Sequence, residues 1–154
     1  MCNIEINGRT LKQSTIIEIG KFAILWNIFE NDKCQNDCNV TILRSLNLDN
    51  IEEQYWINLS QIFKNRVDVN ECNTNNYVDC KLSLGRGLPQ EAKKEVQLFI
   101  KNNGRSNKVG GLIAIYRIRN NMYHGLKNWA ILDEQIDLFI GINAFLEKFL
   151  LENN

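Results

Sequence analysis

Apolar residues recur at separations of three and four in five segments of this chain, and that rhythm most narrows its possible folds. The first segment opens with Thr15 and Glu18, a pair spaced as a helix-starting capping box. It continues with the stripe Ile19, Phe22, Ala23, Trp26 and Phe29. The second starts near Asp49, with Glu52 three residues on, and carries Ile51, Tyr55, Leu59 and Ile62 or Phe63. Pro89 suits the first turn of a third helix, which holds Ala92, Val96 and Phe99 and stops at Gly104. The fourth runs from about Asn107 to His124 and is ended by Gly125. The fifth follows from Asn128 with Leu132, Ile136, Phe139, Asn143, Leu146 and Leu150. Residues 67–87 break the rhythm: Asn73, Asn75, Asn76, Gly85 and Gly87 mark turns, and Tyr77 to Leu84 suits a short extended piece. These stripes predict an all-α bundle of four to five helices with an irregular insertion at about 67–87. The fourth and fifth helices are expected to pack antiparallel around Gly125.

No repeat or Pro- or Gly-rich linker divides the chain, so residues 1–154 are read as a single domain. At 154 residues it is long enough to bury a core without disulfides or a metal. No apolar run approaches the roughly 20 residues that span a bilayer, so no membrane association is expected. The opening MCNIEINGRT lacks the basic start and apolar core of a secretory signal, which makes the cytoplasm the expected location. Five cysteines at irregular spacing (Cys2, Cys34, Cys38, Cys72 and Cys80) argue against a disulfide framework there. Cys34, Cys38, Cys72 and Cys80 can in principle close a tetrahedral zinc site, but neither pair has the two-residue separation of common zinc knuckles. The preferred reading treats them as small apolar fillers.

The formal charge is zero, from 18 basic and 18 acidic residues, which excludes a basic coat for nucleic acid. Its distribution is uneven. Between Glu95 and Asp133 there is no acidic residue, while Lys101, Arg105, Lys108, Arg117, Arg119 and Lys127 fall in that stretch. Such a local cationic field suits a phosphate backbone, although a solvated basic face balanced by acids from elsewhere has the same signature.

On an ideal helix, Leu112, Ile115, Tyr116, Met122 and Tyr123 gather on one arc, with Ile118 at its edge. Arg119 falls inside that arc, spaced like a core residue, while Asn120 and His124 share a polar flank with Arg117. A guanidinium in an apolar seam must be paired or face a wet cleft. Two readings stand at this point. Either Arg119 is paired with a carboxylate of another helix and His124, the only histidine, caps a helix end, or the two work together in a groove.

The string YRIRNNMYHG, Tyr116 to Gly125, resembles the signature of the HEPN superfamily (higher eukaryotes and prokaryotes nucleotide-binding domains): an Arg, a polar residue, then a His after four to six positions. Here these are Arg119, Asn120 and His124, preceded by the apolar GGLIAIY and followed by Gly125 and a long amphipathic helix. The likeness covers about residues 108 to 150 and extends to KFAILWNIFE, which is similar to the opening helix of such domains; from Cys34 to Pro89 there is none. The resemblance implies a ribonuclease of toxin–antitoxin or antiphage type. It also implies a homodimer with two motifs facing one cleft, and an antitoxin or regulatory partner. Family toxins silenced by AMPylation carry a Tyr two residues after the His; here Leu126 stands there, which argues against that control.

The chemistry suits RNA, which carries its own nucleophile in the 2′-hydroxyl. His124 can move protons near neutral pH. Arg119 can fork onto two phosphate oxygens as charge builds in the transition state, and Asn120 can orient the imidazole or the phosphate. Glu30 and Tyr123 are supporting candidates, Glu30 because it can hold Arg119 or His124 across the bundle. Lys101, Arg105, Lys108, Arg117 and Lys127 are candidates for RNA binding. No cofactor and no metal is expected, because the motif offers no cluster of carboxylates or thiolates. The alternative is a non-catalytic HEPN-like module that dimerises or docks to a defence or regulatory partner.

Overall fold

In a computed structural model, residues 3–65, 88–123 and 129–152 are described. The expected insertion at about 67–87, its extended piece from Tyr77 to Leu84, and Gly125 lie outside them. The chain opens with a hairpin, β1 (Ile4–Ile6) and β2 (Arg9–Leu11), paired antiparallel with Ile4 opposite Leu11 and Ile6 opposite Arg9. Asn7 and Gly8 make the turn with φ of 53° and 72°. Positive φ at both central residues is the twist that a two-residue hairpin needs, and Asn-Gly is its strongest signal.

Six helices follow among the described residues: α1 (Gln13–Cys34), α2 (Val40–Ser45), α3 (Glu53–Asn65), α4 (Gln90–Lys101), α5 (Lys108–Tyr123) and α6 (Ile136–Glu152). A 3₁₀ segment, Trp129–Gln135, leads into α6. The all-α expectation holds, and no helix of the described residues is long and apolar enough to cross a membrane.

The start of α1 departs from the expected capping box. The helix begins at Gln13, and its flanking Lys12 makes no side-chain cap. Asp133 supplies the cap from the 3₁₀ segment, accepting from the Lys12 amide at 3.1 Å and from the Thr15 hydroxyl at 2.5 Å. Glu18 instead accepts from the Asn143 amide at 2.8 Å, tying α1 to α6. A carboxylate at a helix N-terminus satisfies orphan amides whether or not it is local. The Phe22, Trp26 and Phe29 face of α1 is buried as its spacing predicts.

Helix α3 starts later than Asp49, yet Ile51, Leu59 and Phe63 are buried. Trp56, not the neighbouring Tyr55, is its main anchor. The indole is fully buried and meets Phe145, Phe99 and Phe149 edge-on, at centroid distances of 4.8, 6.2 and 6.4 Å. Pro89 stands just before α4, and Ala92, Val96 and Phe99 point inward. Gly104, with φ of 75°, closes the turn after α4. The fifth expected helix is split, because residues up to Gln135 wind as 3₁₀ before α6 begins.

Gly125, around which the last two helices are expected to pack antiparallel, lies outside the described residues. Helix α5 packs chiefly on α4, and α6 packs on α1 and α3. Helix α5 comes closest to α4 at Gly110, where an added Cβ would stand 2.2 Å from the Glu95 carbonyl oxygen. Only a glycine lets the two backbones come so near.

Candidate active site

Helix α5 is apolar on every side through its middle: Leu112, Ile113, Ala114, Ile115 and Ile118 are all buried. A helix that is hydrophobic all round belongs in the interior, so the single apolar arc expected from the helical wheel is replaced by complete enclosure. Polar residues begin at the buried Arg117 and continue with Arg119, Asn120 and Asn121.

Arg119 reaches Glu30 of α1, with Nη2 3.4 Å from Oε2, and its Nη1 donates to Asn120 Oδ1 at 3.0 Å. The side chains of Arg119 and Glu30 are 26% and 20% exposed. The seam arginine is therefore paired with a carboxylate across the bundle, and Glu30 is that carboxylate. At 3.4 Å the contact lies beyond the usual span of an N–H···O bond, and its exposure leaves it screened by water. Such a pair holds a guanidinium in place while leaving it exchangeable for a stronger anion, and a phosphate with its fork-matched oxygens is one.

The remaining candidates divide. Arg117, expected on a polar flank with Asn120, is buried at 9% exposure. Lys101 and Arg105 are exposed at the turn between α4 and α5. Lys108 opens α5 with its Nζ 5.9 Å from the centre of the Trp56 ring. Eleven positions separate Lys108 from Arg119, about 17 Å of helix axis at 1.5 Å per residue. The cationic stretch thus splits between the two ends of α5. Tyr123 is the last residue of α5, and His124 and Lys127 lie outside the described residues.

Cys34 and Cys38 are free and buried, as fillers are expected to be. Their sulfurs lie 2.7 Å apart, a proximity that the spacing alone did not announce. Cys2, Cys72 and Cys80 lie outside the described residues, among which no group of three or more His, Cys, Asp or Glu is arranged to hold a metal. Compared with known protein families, with curated proteins and with solved structures, the chain shows no significant match.

Proposed function

We propose that this chain is a metal-independent endoribonuclease of the HEPN type, working in the cytoplasm in a toxin or antiphage-defence setting. The observation that supports it best is Arg119, held by Glu30 and Asn120 where an otherwise enclosed helix turns polar, five positions before the chain's only histidine. Arg119 binds the scissile phosphate in exchange for its loose contact with Glu30 and stabilises the added charge of the phosphorane. His124 moves the proton of the 2′-hydroxyl or of the leaving 5′-oxygen. Asn120 keeps the guanidinium aimed. The products are a 2′,3′-cyclic phosphate and a 5′-hydroxyl. A homodimer that joins two motifs in one cleft supplies two histidines, one for each proton transfer, and an antitoxin or regulatory partner restrains it.

The test is incubation of the purified protein with total RNA in EDTA beside His124→Ala. Cleavage that survives chelation and vanishes in the variant supports the reading. Activity that chelation abolishes and a divalent ion restores overturns the mechanism.

One observation favours the second reading, a docking or dimerisation module. Ile17, Ile24 and Ile28 lie exposed on the outer face of α1, and Ile140 and Leu151 on α6, with Ile24 at 64% and Leu151 at 74%. Between the two helices runs a groove of about 390 Å³ lined by Leu25, Ile28, Asp32, Glu147, Leu150 and Leu151. Contiguous exposed apolar surface of this kind marks interaction sites. Leu25, Ile28 and Asp32 sit roughly 140–160° around α1 from Glu30, so this face and the Arg119 end look in different directions.

A further inference from the structure

Cys34 ends α1. Gln35 and Asn36 then turn left-handed, with φ of 52° and 65°. The Asn36 amide donates to the Glu30 carbonyl, and the Asp37 amide to the Cys34 carbonyl, each at 3.0 Å. This is a helix-terminating turn, and it doubles the chain back so that Cys38 rises beside Cys34. Asn39 follows at once, its side chain capping α2 by accepting from the Ile42 amide at 3.0 Å. The two cysteines are therefore held by two helix ends rather than by a slack loop.

Their sulfurs are 2.7 Å apart, well inside the roughly 3.5–4 Å at which non-bonded heavy atoms rest. A disulfide needs about 2.05 Å, so closure asks for about 0.7 Å of motion shared by two side chains. From this geometry we infer that Cys34 and Cys38 are a reversible oxidation site, closed to an intramolecular disulfide by a small hydroperoxide and reopened by thiols.

The surroundings set the order of events. Cys38 holds its proton, because its close contact with the Cys34 sulfur and its burial both push its thiol up. Cys34 gives up its proton more readily than a free thiol, because that same contact supports its thiolate. The Cys34 thiolate attacks one peroxide oxygen and the O–O bond breaks. The departing oxygen takes a proton and leaves as water or an alcohol, and Cys34 becomes a sulfenic acid. The Cys38 sulfur then attacks the Cys34 sulfur. The S–O bond breaks, hydroxide leaves and takes the Cys38 proton as water, and the S–S bond forms. Two thiols lose two electrons and one hydroperoxide gains them.

The site adjoins the Arg119 end of α5. Glu30 and Cys34 are one turn apart on the same face of α1, so the disulfide fastens the turn that presents Glu30 to Arg119. The inference does not depend on what Arg119 does.

The experiment uses the reduced full-length chain, treated with about one equivalent of hydrogen peroxide, quenched in acid and alkylated after unfolding. Trypsin places both sulfurs in one peptide, Cys34 to Arg44. That peptide should be about 2 Da lighter than its reduced form, refuse alkylation, and recover both reactive thiols after dithiothreitol. Closure should be at least tenfold faster in the folded protein than in urea. In Cys38→Ser, Cys34 should stall as a sulfenic acid trapped by a 1,3-dione. Full alkylation of Cys34 and Cys38 while other cysteines oxidise overturns the proposal. So does equal closure in urea, or accumulation of a Cys34 sulfinic acid in place of the disulfide.

Discussion

At its N-terminal end α5 meets α4 nearly backbone to backbone, with no room for even one methyl group at Gly110. At its C-terminal end the same helix carries Arg119 and Asn120, half-buried and held by each other and by Glu30. The first end is fixed by shape and the second by exchangeable polar contacts. Rigid packing at one end lets a helix hold polar groups in a fixed direction at the other without letting them decide where the helix lies. Proteins break local rules of sequence at the places where they act, and the polar break in α5 follows that pattern.

Substitution at each end tests this division. The largest effect belongs to the C-terminal end. In His124→Ala, RNA cleavage should fall by about 10²–10⁴-fold, as loss of a general acid–base group does, with the thermal midpoint unchanged. Turnover and circular dichroism on the same preparation check it; a folded variant that cleaves at the parent rate hands the site to the docking-module reading. Gly110→Ala should do the reverse, because its new methyl meets the Glu95 carbonyl. Overpacking of this kind destabilises by about 2–3 kcal/mol, which urea unfolding reads as a lower midpoint at unchanged slope. If Gly110→Ala unfolds with the parent, the tight end is not tight.

How far this could be foreseen follows from what kind of information each contact needs. Stripes such as Phe22–Trp26–Phe29 and Ala92–Val96–Phe99 are legible because burial repeats with the helix period. Asn7-Gly8 is a hairpin signal within the sequence that a search for helical stripes passes over. Helix α2, at six residues, is too short to show a period. The cap of α1 was not legible, because the carboxylate comes from Asp133, and nothing near Thr15 announces it. Helix α5 misled the wheel for a physical reason, since a helix enclosed on all sides has no preferred face to reveal. The sequence marked Arg119 as out of place and named Glu30 as one group able to hold it. Their meeting across 89 positions depends on how α1 and α5 pack, which periodicity does not encode.

Arg119→Lys asks whether the polar end needs the shape of the guanidinium or only its charge. A lysine keeps the charge beside Glu30 but cannot fork onto two phosphate oxygens. Cleavage should stay close to that of Arg119→Ala, at least tenfold below the parent, while stability moves by no more than about 1 kcal/mol, the scale of a partly exposed pair. Single-turnover rates on saturating RNA make the check. Recovery of parent turnover in the lysine variant means that Arg119 acts only as a point charge.

The smallest effect is expected at the packed end, where Lys101 and Arg105 stand exposed at the turn before α5. If RNA runs along α5, these two side chains neutralise phosphates without touching the reacting one. Lys101→Ala and Arg105→Ala should then each weaken RNA binding several-fold at low salt. Each should also reduce the slope of log affinity against log salt by about one. Turnover on saturating RNA should stay at the parent value, because neither cation meets charge that develops in the transition state. Titrations at several salt concentrations separate the outcomes. A flatter slope with unchanged turnover makes this end a binding surface joined to a distant reacting one. An unchanged slope confines RNA to the Arg119 end and leaves the basic turn as a solvated face of the bundle.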